Sequence, residues 1–299
     1  MTLKQLEALY WAGTLGSFAL AAQRLCTTQS ALSKRVQELE EELGEPLFDR
    51  AGPRARITAA GERVLAHAGQ MLRTKDDILA AARGPHGLRG SSPFGVSEFV
   101  ASCWLPEIVS TIRARYAEVT LEPRVGVTGE LIQELARGET DFAIGAASTA
   151  DAAVASERLF DVDMAWIAAP AVAAKLGTLT RERLIDTPVL STSPRSGATA
   201  ALHQWALARG IKIRQLQPSN SMNAVASLAA AGMGVCVQPR PFAERFVEDG
   251  RLAWVDAAPD CLVPPVTYFL HSRRDDQRVL TTRLREVVLE LAATPRWAG

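Results

Sequence analysis

Apolar positions along the first 60 residues fall at helical spacing, in short runs cut by tight turns. Leu3, Leu6 and Tyr10 recur at i, i+3 and i+7, and Gly13 to Gly16 breaks the run. Ser17 is placed to cap a second short helix marked by Phe18, Ala21, Ala22 and Leu25. Cys26-Thr27-Thr28 reads as a three-residue turn. A third helix then runs from about Gln29 to Leu43 and stops at Gly44, with Pro46 behind it. Leu47-Phe48, turn chemistry at Ala51-Gly52-Pro53 and a return through Ala55-Arg56-Ile57 predict a hairpin over residues 47–58. Thr58 can cap a helix from about Ala59 to Arg83. Its residues Val64, Ala68, Met71, Lys75, Ile78 and Ala82 alternate steps of four and three, a heptad seam with one polar member. Leu65, Leu72 and Leu79 widen the stripe. A solitary helix with such a stripe needs a partner, and a second copy of itself is the simplest one.

Residues 84–93, from Gly84-Pro85 to Ser92-Pro93, form the clearest linker or hinge in the chain. Beyond it, β-like runs alternate with helical ones. The β-like runs are Phe94–Ser97, Leu121–Val127, Phe142–Ala146, Met164–Ala168, Pro188–Thr192, Gly234–Val237 and Val266–Leu270. Such alternation predicts an open α/β sheet, and its length suits two small lobes.

Composition narrows the function. Thirty-three Lys+Arg balance 33 Asp+Glu, so any nucleic-acid site must be a local patch rather than a whole-molecule field. Cys26, Cys103, Cys236 and Cys261 form no close pair, and the four histidines have no metal-ligand spacing. Reduced thiols, no targeting segment and no membrane-length apolar run predict a cytoplasmic protein with no cofactor and no membrane partner.

The third helix has two faces. Leu32, Val36, Leu39 and Leu43 form the stripe expected to be buried. Ser30, Ser33, Lys34 and Gln37 lie opposite, and Gln29 extends them. A helix entering a DNA major groove needs such a face: Gln pairs with adenine, Lys reaches guanine, and Ser suits base or phosphate. Glu38, Glu40, Glu41 and Glu42 repel phosphates at the far end, so the N-terminal half is the part to insert. Arg50, Arg54 and Arg56 flank the hairpin as a wing. A three-helix interaction module with a solvated polar face is the competing reading of this spacing.

From Leu3 to Gly61 the chain resembles the LysR-type transcriptional regulators. The resemblance rests on Leu3-x-x-Leu6, Gly16-Ser17-Phe18, Ala21-Ala22-x-x-Leu25 and Thr28-Gln29-Ser30-Ala31-Leu32-Ser33. It continues through Leu39-Glu40-x-x-Leu43-Gly44, Pro46-Leu47-Phe48-x-Arg50 and Thr58-x-x-Gly61. Looser matches follow at Leu105-Pro106, Gly138-x-x-Asp141-Phe142-Ala143-Ile144 and Ala230 to Gly234. Thr28 stands where the family usually has Ser, Ser30 where it has Pro, and Cys26 often corresponds to His.

The resemblance implies a winged helix-turn-helix domain (1–58), a dimerisation helix (59–83) and a two-lobed α/β effector-binding domain (91–299) like a periplasmic binding protein. Crossovers near Val162-Asp163 and Pro265-Val266 divide it into lobe one, 91–162 plus 267–299, and lobe two, 163–266. It further implies double-stranded promoter DNA as partner, a carboxylate- or amine-bearing effector, and self-association as a dimer of dimers.

Ligands lie outside the carboxyl ends of strands in such sheets. Candidate effector contacts are therefore Ser97, Glu98, Phe99, Ser102, Thr128, Gly129, Ser193, Arg195 and Asn220. Thr128 is placed to cap a helix, and Glu98 with Arg195 suits an effector carrying both an amine or hydroxyl and an acid. Three other readings compete. A binding or transport module does not explain the N-terminal helices. A thiol-based redox sensor lacks a close cysteine pair. An α/β enzyme lacks a base at an identifiable spacing, so no catalysis is expected.

Overall fold

The computed structural model describes residues 1–49, 56–83, 88–216, 219–276 and 278–294. Arg50, Arg54, residues 84–87 of the linker and the side chain of Ala82 lie outside the described residues.

The chain opens with α1 (Leu3–Leu15), α2 (Phe18–Arg24) and α3 (Gln29–Leu43). Thr2, Ser17 and Thr28 cap them by accepting from the Gln5, Leu20 and Ala31 amides. Gly44 ends α3 at φ +71, a conformation glycine adopts without strain. The short pair β1 (Phe48–Asp49) and β2 (Arg56–Ile57) follows, with Phe48 opposite Ile57. Then comes α4 (Ala59–Arg83). Leu6, Leu9, Leu32, Val36, Leu39, Leu47 and Ala68 close one small core. Leu43, expected in that core, is 41% exposed, because the helix outruns its neighbours in its last turn.

The heptad seam of α4 is divided between two uses. Ala68 and, partly, Val64 and Leu65 pack into the N-terminal core, and Lys75 pairs with Glu7 at 2.6 Å. Met71, Ile78 and Leu79 remain exposed at 44, 66 and 39%.

The remainder builds two five-stranded sheets. Its elements are β3 (Gly90–Val96), α5 (Glu98–Cys103), α6 (Leu105–Arg115), β4 (Val119–Val125), α7 (Thr128–Ala136), β5 (Phe142–Ala146) and β6 (Val154–Val162). Next come β7 (Met164–Ala168), α8 (Pro170–Leu176), α9 (Arg181–Asp186), β8 (Pro188–Leu190), α10 (Gly197–Ala208), β9 (Arg214–Leu216) and α11 (Met222–Ala230). The chain closes with β10 (Val235–Pro239), α12 (Arg240–Glu248), β11 (Ala253–Trp254), β12 (Val266–Arg273) and α13 (Val279–Ala292). The first sheet has the order β4-β3-β5-β12-β6 and the second β11-β7-β10-β8-β9. The chain leaves the first sheet after Val162 and returns to it at Val266.

The hinge expected over 84–93 is shorter on its C-terminal side. Gly90 to Pro93 belong to β3 and face Val119 to Glu122 of β4. Pro93 fits because pairing with β5 begins only at Phe94, so its missing amide breaks no bond on that side. One apolar cluster runs from Phe94, Phe99, Trp104 and Tyr268 of the first lobe into Ile167, Leu190, Phe242 and Phe246 of the second. The two lobes therefore share a core on one side and a cavity on the other.

Candidate functional site

The N-terminal unit presents the first candidate surface. The turn from α2 to α3 bends sharply at Cys26, whose φ of +48 is in the left-handed region. Buried Leu32, Val36 and Leu39 anchor α3. Its other face holds Gln29, Ser30, Lys34 and Gln37 in solvent, with Ser33 half-buried. The Thr28 and Ser30 hydroxyls are 3.1 Å apart, Lys34 lies 4.0 Å from Glu38, and Gln37 donates to Glu41 at 3.0 Å. The Lys34 side chain is 78% exposed, so its partner leaves the ammonium in water. Arg56 is exposed on β2. The face has the groups for hydrogen bonds to base edges and phosphates.

The second candidate is a cavity of about 390 Å³ between the lobes. Its walls come from the ends of distant strands. Ser97 and Glu98 follow β3, Gly126 to Thr128 follow β4, Ala146 ends β5, Thr192 follows β8, Asn220 and Ser221 precede α11, and Met222 begins it. Tyr268 of β12 forms the floor, and burial raises its hydroxyl pKa. Glycine permits the close approach of the lobes: a Cβ on Gly197 would lie 2.1 Å from the Ala146 carbonyl oxygen.

Glu98 crosses this gap. Its carboxylate accepts from the Ser221 hydroxyl at 2.9 Å, the Asn223 amide at 3.1 Å, the Asn223 side chain at 2.7 Å and the Met222 amide. Carboxylates suit this position because the first amides of a helix lack internal partners. Across the rim, the Gly129 amide donates to the Arg195 carbonyl at 3.1 Å.

A larger cavity, about 660 Å³, lies between α1, α4 and the first lobe. Three of its arginines have partners from the protein itself: Arg73 lies 3.2 Å from Asp141, Arg137 bonds Glu139, and Arg124 lies 3.7 Å from Glu134.

The "Bacterial regulatory helix-turn-helix protein, lysR family" domain matches residues 3–62, and the "LysR substrate binding domain" matches residues 85–293. The chain belongs to the LysR family of transcriptional regulators. A probable RuBisCO transcriptional regulator of Cyanidioschyzon merolae is 27% identical over 248 residues, 79% of this chain and 82% of that one. Several other curated relatives match over 144 residues, 48% of this chain and less than half of their own length. A full-length OxyR variant from Pseudomonas aeruginosa superposes with a TM-score of 0.72 at 23% identity, over 98% of this chain and 95% of that one. Full-length CbnR complexed with its target DNA gives 0.67 at 21% identity, over 97 and 99% of the two chains.

Within this LysR-family fold, Ser97, Glu98, Thr128 and Asn220 line the interlobe cavity; Phe99, Ser102, Gly129, Ser193 and Arg195 do not. Phe99 is wholly buried in the core, and Ser102 faces solvent. Ser193 accepts from the Arg195 amide. The Arg195 guanidinium donates to Gln133 at 2.7 Å and lies 3.5 Å from Glu130. Each member of the expected Glu98–Arg195 pair is thus held by other groups. Thr128 is the first residue of α7 rather than its cap, which is Val127. Its side chain is pressed against Gly145, where a Cβ would lie 2.8 Å from the hydroxyl.

Ser196 and Ser221, which follow β8 and precede α11 as the strand-end rule expects, line the cavity too, whereas Glu130 and Tyr268 line it and are not among the expected contacts. A helix-start signal marks Ser196 and Ser221, whereas nothing local marks Tyr268. Burial raises the Cys103 thiol pKa and pushes Cys236 up to about 12, so neither is an activated thiolate. Among the described residues no cluster of His, Cys, Asp and Glu suits a metal, and no helix is long and apolar enough to cross a membrane.

Proposed function

We propose that this regulator reads duplex DNA with the N-terminal half of α3 and adjusts that reading to a small molecule bound between its lobes. The DNA contacts are Thr28, Gln29, Ser30, Ser33, Lys34 and Gln37, with Arg56, Arg50 and Arg54 as the wing. Residues 1–58 form the DNA-binding domain and 59–83 the pairing helix. Residues 91–162 with 267–299 form lobe one, and 163–266 form lobe two. The uncovered stripe Met71, Ile78 and Leu79 pairs with a second copy, and a dimer of dimers sets the spacing of the reading helices. The protein acts in the cytoplasm as a regulator rather than a catalyst. Ser97, Thr128, Asn220 and the residues around them contact the effector.

The observation that carries this reading is the division of α3: three leucine and valine side chains wholly buried, and a polar face opposite them. Fluorescence anisotropy on the protein's own upstream DNA tests it. Affinity should fall steeply with salt, and Lys34→Ala should weaken binding and reduce the salt slope by about 1. Ser33→Ala should weaken binding with the slope unchanged. Absent or salt-independent binding contradicts the proposal.

A further inference from the structure

The interlobe cavity carries an unusual balance of charge. Its ionisable carboxyl groups are Glu98 and Glu130, and no lysine, arginine or histidine lines it among the described residues. Two guanidinium groups lie outside the lining: Arg195 donates to Gln133, and Arg245 donates to the Asn223 side-chain oxygen. Four helices, α5, α7, α10 and α11, begin at this cavity, and the amides at such ends are the usual receptors for an anion; at α5, Glu98 itself puts a carboxylate in the first turn. The α11 terminus already holds the Glu98 carboxylate. At α7, the Gly129 amide is spent on the Arg195 carbonyl. At α10, Gly197 is packed against the Ala146 carbonyl, an acceptor that repels anions. The rest of the wall is small or apolar, with Val125, Val127 and Met222 its larger side chains, and carries the Asn220 carboxamide and several hydroxyl groups.

We infer that the cavity takes a small organic cation, a protonated amine on an apolar body, and discriminates against carboxylates. This rests on the reading of the cavity as the effector site. Glu98 has its acceptor positions filled by four donors, so it contributes charge and holds the lobes together. Glu130 receives the ammonium. Its side chain is 46% exposed, and its 3.5 Å separation from Arg195 leaves acceptor capacity. Apolar surface on Val125, Val127 and Met222 covers the body of the ligand.

Isothermal calorimetry on the full-length protein tests this with matched probes: phenethylamine and putrescine against 3-phenylpropionate and succinate. The amines should bind saturably at millimolar concentration and the acids should not. Glu130→Gln should weaken amine binding about tenfold and strengthen acid binding, because it removes a carboxylate and releases Arg195. Val125→Trp, at an exposed wall position, and Ala198→Trp fill the cavity independently and should each abolish binding. Acids that bind wild type but neither filled variant overturn the cation assignment and leave the cavity reading intact. Binding that persists in both filled variants overturns the cavity reading itself. Failure of both amines to bind overturns the cation assignment.

Discussion

Asp141 and Glu98 each join two parts of this chain through one carboxylate, but they do so in different media. Asp141 is fully buried. It accepts from Ser92 at 2.8 Å and Arg278 at 2.8 Å, and Arg73 of α4 lies 3.2 Å away with 9% of its side chain exposed. Arg73 also donates to the Gly138 carbonyl. Burial opposes the charge on Arg278, but its bonds to Asp276 and Asp141 raise its pKa above the usual arginine range. Glu98 is half-buried beside an open cavity and binds neutral donors.

Charges buried together are costly to separate, because each would be left unpaired in a low-dielectric site. Neutral bonds within reach of solvent are exchanged at little net cost. The α4 junction is therefore the fixed one and the interlobe junction the adjustable one. On the proposed reading, a ligand that favoured another arrangement of the lobes would move lobe two against a body comprising lobe one, α4 and, through the Lys75–Glu7 pair, α1. It shifts that balance only by its differential affinity for the two arrangements.

The largest expected effect is on the fixed junction. Asp141→Asn keeps the shape but leaves Arg73 and Arg278 under-compensated, and should cost about 3 kcal/mol in urea unfolding. Lobe one also buries His271 completely, with Nδ1 3.0 Å from the Ser156 hydroxyl. Burial lowers its pKa to about 4 from an ordinary value of 6.5. Between those values the unfolded chain binds a proton that the folded chain refuses. This contribution, up to about 3 kcal/mol, is complete above the unfolded pKa and is lost as the pH falls toward the folded one. His271→Gln should flatten the stability profile in that window; an unchanged slope would show that other groups set it. Glu98→Gln should cost the least, about 1–2 kcal/mol, and should raise proteolysis between the lobes while leaving α4 protected. Equal losses from Asp141→Asn and Glu98→Gln would erase the distinction between the junctions.

What was legible in the chain follows the range of each interaction. The spans of α3 and α4 were readable because their apolar spacing is continuous and their caps are local. The central strands β5 and β7 were readable as short apolar runs. The strand β6 was not: it is an edge strand carrying Glu157, Arg158 and Asp161, and a bulge opposite Tyr268 and Phe269 breaks its alternation. Short β9 and β11 offer too few residues for a pattern. The polar member of the α4 seam, Lys75, was readable as an oddity, but its partner Glu7 lies 68 residues away. Asp141 appeared only inside a motif, since Arg73 and Arg278 meet it from opposite ends of the domain. Arg195 had the chemistry of a ligand fork, yet Gln133 and Glu130 hold it outside the cavity.

Hydrogen exchange on the full-length protein tests the two junctions most directly. The account predicts that the Met222 and Asn223 amides, bonded to Glu98, exchange much faster than the Asp141 amide, which donates to the Pro93 carbonyl at 2.7 Å. Equal protection at both places, or faster exchange at Asp141, would contradict it.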